Sequence, residues 1–308
     1  MKNQLINYGI VLFMMGLLFF SLLYKELVIN TISYSLHLWV HNLIPSMFPF
    51  FVISDILIQY HFTDYIPFFI KRFFSFLFGV NYDVVTIFFL SCLSGFPSNA
   101  RIILGMYQNG YISLDDANHA LIFTHFSNPL FILSTVGNLF LHSEVYGYII
   151  LISHYVGNII LGIITRGKNS YCYCHTLEKK QLSFGQIFIQ AIRSSIDTLL
   201  LILGIVTCFL VFSTFIIQMV PFNDYTGAIF KGIIEITMGL KSLSMLSISN
   251  IYKVVISSMF LSFGGISVHL QVYSQLIDTE ISYHAFFVAR IFHMIISGVI
   301  CYILFLVI

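Results

Sequence analysis

The chain has 308 residues, 58% of them hydrophobic and 9% charged, with a net charge of +1. Soluble domains carry roughly a quarter charged residues, so this composition, at mean hydropathy +0.92, excludes one. The balanced charge also excludes a nucleic-acid surface, which needs a basic face.

Tyr8 to Tyr24 is an apolar run bounded by Lys2 and by Lys25-Glu26. Its downstream flank offers no small-residue cleavage site, so a retained first transmembrane helix is expected. Leu27 to Leu43 mixes seven polar residues with apolar ones around Trp39, the only tryptophan. That mixture predicts a helix lying in the interface or tucked against a bundle. His37 and His41 would share a helix face, but two histidines fall short of a zinc site and read as interfacial. Pro45 and Pro49 open the next membrane helix, to about Tyr60. Phe62 to Val80 holds Asp64, Lys71 and Arg72 among aromatics, which suits a horizontal helix or a poorly hydrophobic membrane segment, with the charges at headgroup level.

The stretch Ser91-Cys92-Leu93-Ser94-Gly95-Phe96-Pro97-Ser98-Asn99-Ala100-Arg101 closes the apolar run Val84 to Leu90. Pro97 lacks an N–H and Gly95 tolerates non-helical angles, so a helix breaks here at membrane depth. Such a break survives only where protein or a polar cavity satisfies the freed backbone. Ser113-Leu114-Asp115-Asp116 caps a further helix, expected to reach Phe126. Ser127-Asn128-Pro129 interrupts the chain again. Pro129 to Leu141 and Val145 to Ile164 read as two more apolar helices.

Residues 166–181 form the one hydrophilic loop, with Arg166, Lys168, Lys179 and Lys180 against a single acid, Glu178. The positive-inside bias places it in the cytoplasm. The five cysteines are odd in number and imply no disulfide framework. Ser183 to Thr198 looks amphipathic, Leu199 to Val220 spans the membrane, and Lys231, Glu235 and Thr237 fall within Ala228 to Leu246. Tyr283 to Ile308 closes the chain with a helix carrying His284, Arg290 and His293.

An ungapped offset of 169 residues pairs Asn81 with Asn250, Val85 with Val254, Gly95 with Gly264, Ser98 with Ser267 and Ser113 with Ser282. The second break is therefore Leu261-Ser262-Phe263-Gly264-Gly265-Ile266-Ser267-Val268-His269-Leu270-Gln271. Paired interrupted apolar segments mark a two-repeat membrane fold. The organisation expected is an N-terminal helix (1–26), a first repeat (27–166), a cytoplasmic loop (167–182) and a second repeat (183–308), all-α throughout. The two breaks are expected to meet, sharing their serines and amides.

At Ser94-Gly95-Phe96-Pro97, Asn128-Pro129-Leu130-Phe131, Glu235-Ile236-Thr237-Met238-Gly239 and Phe263 to Gln271 the chain resembles YlbJ-type sporulation integral membrane proteins. That family carries the nucleoside recognition, or Gate, domain. The resemblance implies a transporter-like protein of a bacterial inner membrane that handles a small polar solute such as a nucleoside. The alternative is a structural or assembly role in spore formation.

The residues expected at a solute site are Ser94, Gly95, Ser98, Asn99, Arg101 and Asn128 from the first repeat. Glu235, Gly264, Gly265, Ser267, His269 and Gln271 join them from the second. Asn, Gln and Ser supply paired donors and acceptors, and a half-helix N-terminus favours an acceptor. Glu235 is the acid expected to neutralise Arg101 or Arg290. No catalytic motif, metal set or cofactor site is apparent, so a non-enzymatic protein is expected. The lipid bilayer, a solute, a second copy or another membrane protein are the partners that this composition suits.

Overall fold

The computed structural model describes residues 2–167 and 182–308, and among them every regular element is helical. Six helices are long and apolar enough to cross a membrane, as a polytopic all-α fold requires. Helix α1 (Lys2–Leu23) precedes α2 (Lys25–Leu38), which passes through a π-helical turn, Trp39–Leu43, into α3 (Ile44–Gln59). Helix α4 (Phe68–Phe78) lies at 94° to α5 (Tyr82–Ser94), as a helix lying across the end of a span would. Helices α6 (Ser98–Gln108) and α7 (Leu114–Phe123) follow the first break. A π-helical stretch, Phe131–Phe140, leads to α8 (Glu144–Ile164).

The second half holds α9 (Phe184–Met219), α10 (Asp224–Ile234), α11 (Ile236–Ser244), α12 (Asn250–Phe263), α13 (Gly265–Leu276) and α14 (Tyr283–Val307). Element ends follow the 169-residue offset at several points. Helix α5 stops at Gly95 and α12 at Gly264, both with positive φ. Ser113 precedes α7 as Ser282 precedes α14. The copies then diverge, for α14 runs unbroken to Val307 while α7 ends at Phe123.

Three expectations change. Leu27 to Leu43 is no separate interfacial helix, because α2 and α3 form one 35-residue apolar span. The π turn keeps it continuous, Pro45 falls in the first turn of α3 and Pro49 lies inside that helix. Trp39 donates its indole N–H to Leu199 O (2.9 Å), which seats the turn against α9. The amphipathic segment and the span after it are likewise one 36-residue helix, α9, ended before Pro221 as expected. Finally, the helix expected to reach Phe126 stops three residues earlier, since 124–128 are drawn out to meet the first break. The loop carrying Cys172 and Cys174 lies outside the described residues.

Buried apolar side chains form two clusters. One surrounds Phe51, Phe96, Phe131 and Leu210, the other Phe78, Phe88, Phe123 and Phe286. Tyr155 packs on both. The interrupted segments run through this packed interior, so each freed peptide group needs a partner there.

Candidate functional site

The first break crosses the second interruption of its own repeat. Phe96 N–H donates to Phe126 O (2.7 Å), and a Cβ on Gly95 would sit 2.6 Å from Asn128 N. Only glycine fits there, at φ +76° and with that backbone in the way. The Phe96-Pro97 peptide is cis. Asn128 then serves both sides of the crossing. Its Nδ2 donates to Ser46 O (2.8 Å), Leu93 O (3.1 Å) and Ser94 O (3.4 Å). Its Oδ1 accepts from Leu130 N (2.9 Å) and Phe131 N (3.3 Å), capping the helical turn that follows.

Helix α8 supplies the remaining partners. Asn158 Nδ2 donates to His125 O (2.7 Å), and Ser127 N–H donates to His154 Nε2 (2.9 Å). Tyr155 donates its hydroxyl to Cys92 O. Arg290 on α14 is fully buried, and Glu235 does not neutralise it. Its Nη1 donates to His293 Nδ1 (2.9 Å), Asn158 Oδ1 (3.3 Å) and His125 O (3.4 Å), and its Nη2 to Ile122 O. A guanidinium only donates, so His293 carries its proton on Nε2, which bonds to His154 O (2.8 Å). By the same logic His154 donates from Nδ1 to Ser262 Oγ (2.9 Å). One neutral histidine and three carbonyl-type oxygens therefore hold one buried cation.

The second break is narrower. Gly264 takes φ +93°, its N–H reaches Phe260 O (2.8 Å), and His269 bonds Phe263 O (3.0 Å) and Tyr283 OH (2.8 Å). Helix α6 packs on α13, and His125 lies between the breaks. Its ring stacks on Phe96 at 4.9 Å, its Nδ1 is 3.3 Å from Asn99 Oδ1, and its Nε2 is 3.7 Å from where a Cβ on Gly264 would lie. Asn99 Nδ2, His125 Nε2, Ser267 Oγ and Arg290 Nε have no protein hydrogen-bond partner.

Both breaks border a cavity of about 20 Å³, with Phe96 on one side and Val268 and Gln271 on the other. Glu235 and Thr237 complete its polar lining. That volume holds about one water molecule. Glu235 sits between α10 and α11, and its oxygens accept Thr237 N (3.1 Å) and Met238 N (2.8 Å), so it caps α11. Arg101 pairs instead with Asp55 (2.9 Å), the one ion pair among the described residues. These two residues line a cleft of about 190 Å³ between α3, α6 and α9. A third space, about 490 Å³, has Tyr34, His37, Asn42, His142 and Lys241 around it.

The residues expected from sequence thus divide into groups. Glu235 and Gln271 face the central cavity, with Asn99 and Ser267 buried close by. Ser94, Gly95, Asn128, Gly264, Gly265 and His269 build the breaks themselves, and Ser98 bonds Ser94 Oγ (2.9 Å). Arg101 lines a different space. His125, His154, Asn158, His293 and Asp55 were missed. His154 and Asn158, four apart in the apolar α8, and Arg290 with His293 were the available signal, because polar residues on one face of a span seek partners. The rings of His37 and His41 lie 4.3 Å apart, tilted by 38°, and among the described residues no three metal-type side chains cluster.

Interrupted helices that cross inside a bundle of apolar spans define a polytopic integral membrane protein. Residues 40–144, which hold Gly95 and Asn128, match the family model described as Gate, nucleoside recognition. Over 303 residues the chain is 27% identical to the "Sporulation integral membrane protein YlbJ" of Bacillus subtilis (strain 168), across 86% of this chain and 74% of that protein. Both matches bear out the resemblance carried by the sequence motifs. No solved structure matches.

Proposed function

We propose that the chain binds and moves a small polar solute, such as a nucleoside, at the meeting point of its two breaks. One observation carries this reading: segments from both repeats border a single cavity that also holds Glu235 and Gln271. The match to a nucleoside recognition family supports the solute class, and the sporulation protein it resembles supports a role in spore formation at a bacterial inner membrane. We read the protein as non-enzymatic, since His125 and Ser127 are engaged separately, with Asn99 and His154.

A second reading is a non-transporting assembly factor, and the small central volume favours it, because about 20 Å³ admits no solute without movement. Thermal unfolding of the purified protein against a panel of nucleosides, bases and amino acids separates the two. The transport reading expects one solute class to raise the midpoint, as a ligand of the native state must, and Gln271→Leu to abolish the rise. No rise with any solute, together with a membrane protein that co-purifies, would establish the assembly reading.

A further inference from the structure

The three spaces are stacked along one helical span. Asn42 lines the 490 Å³ space, Leu43 and Met47 the central cavity, and Asp55 and Gln59 the 190 Å³ cleft. Met47, Phe51 and Asp55 follow one another at four-residue steps on one side of α3, so that side runs from the central cavity to the cleft. Met47 and Asp55 are about 12 Å apart at 1.5 Å per residue. Helix α9 repeats the order, with Gln190 and Ser194 at the cleft and Ile202 and Val206 at the centre.

About two turns of α3 run from Met47 at the centre to Asp55 at the cleft. Phe51, fully buried, lies midway, and the Arg101 guanidinium sits over its ring at 5.2 Å. Arg101 Nη2 donates to Asp55 Oδ1 on α3 (2.9 Å), while Nη1 donates to Ser194 Oγ (2.9 Å) and Thr198 Oγ1 (3.1 Å) on α9. One side chain of α6 thereby ties together the three helices that wall the cleft. The pair is partly open to the cleft, at 13% and 18% exposure, whereas Met47 beyond it is 5% exposed.

We infer that the cleft is an access vestibule and that Phe51, Asp55 and Arg101 form the gate between it and the central cavity. This rests on the solute-binding reading of that cavity. The vestibule adjoins the first turns of α9, directly after the basic loop, so it opens toward the cytoplasmic side. Breaking the ion pair leaves Arg101 short of an acceptor and Asp55 short of a donor. A solute that offers both, such as a neutral or zwitterionic heterocycle, opens the gate without stranding either charge.

Thiol accessibility tests the gate without any solute. In a background with Cys92, Cys172, Cys174, Cys208 and Cys301 replaced by serine, single cysteines are placed by Gly105→Cys in the cleft and Met47→Cys at the centre. Position 105 has open space at its Cβ. With 2-aminoethyl methanethiosulfonate, position 105 is expected to react at least tenfold faster than position 47. Adding Arg101→Ala raises the rate at 47 at least tenfold and leaves 105 unchanged, and the exchange of Asp55→Arg with Arg101→Asp restores protection. Phe51→Ala serves the same comparison if Arg101→Ala does not fold. Equal rates at 47 and 105 with the pair intact overturn the gate. So does continued protection of 47 in a variant that elutes as the native protein. Solute stabilisation is read separately on the native chain, so failure of the gate and failure of the solute site are distinguishable.

Discussion

Gly95 and Gly264 stand at equivalent offsets but meet different constraints. A Cβ at Gly95 would fall 2.6 Å from a backbone nitrogen at φ +76°, in a conformation only glycine holds readily. At Gly264 the nearest atom is a flexible Val268 methyl at 3.3 Å. Gly95→Ala is therefore expected to abolish the monodisperse gel-filtration peak, while Gly264→Ala keeps it with a loss of about 1–2 kcal/mol for the left-handed residue. Equal behaviour of the two would contradict the crossing at Asn128. Glu235 gives a second contrast. It caps α11 instead of neutralising an arginine, so Glu235→Gln retains one acceptor and should cost about 1 kcal/mol. Glu235→Leu leaves two buried N–H groups unpaired, at about 1–3 kcal/mol each. Thermal midpoints from fluorescence-detected gel filtration measure the difference, and an equally large loss for both variants would return Glu235 to an ionic role.

Among the elements, α1 is the most loosely held. Its packing is mainly on α2 and α9, through Phe13 against Phe212 (5.9 Å) and Phe20 against Phe215 (4.9 Å). Neither the central cavity nor the cleft uses a residue of α1. A chain lacking residues 2–23 is expected to remain monodisperse and to keep the reactivity difference between positions 105 and 47. Loss of that difference would make α1 part of the gate architecture. Helix boundaries were readable where a local chemical signal sets them: Ser113 and Ser183 form capping boxes, and Pro221 stops α9. The junctions at 43–44 and 198–199 were not, because polar side chains there mimic a boundary. Ser35 in fact bonds Thr207 Oγ1 (2.6 Å) on α9, and Trp39 bonds Leu199 O. Local composition cannot tell a water-facing polar residue from one paired to a neighbouring helix.

On the scale of the whole molecule, the basic residues of the 166–181 loop predict an orientation that places this loop in the cytoplasm. An impermeant maleimide applied to intact cells is expected to leave Cys172 and Cys174 unmodified and to label them once the membrane is opened. Labelling from outside would invert the topology and place the 190 Å³ cleft on the outer face.

By itself the sequence determined the membrane class, the two interruptions and their glycines, since apolar run length and the missing N–H of proline act locally. It also carried the 169-residue relation, which survives as matching helix ends at Gly95 and Gly264, and at Ser113 and Ser282. Only the tertiary structure decided the partners. Arg101 pairs with a carboxylate 46 residues before it, and Arg290 with oxygens 132 to 168 residues away. The physical reason is that a freed peptide group or a buried charge in an apolar bundle takes the nearest partner in space. Which residue that is depends on how the helices cross, and no spacing along the chain encodes it.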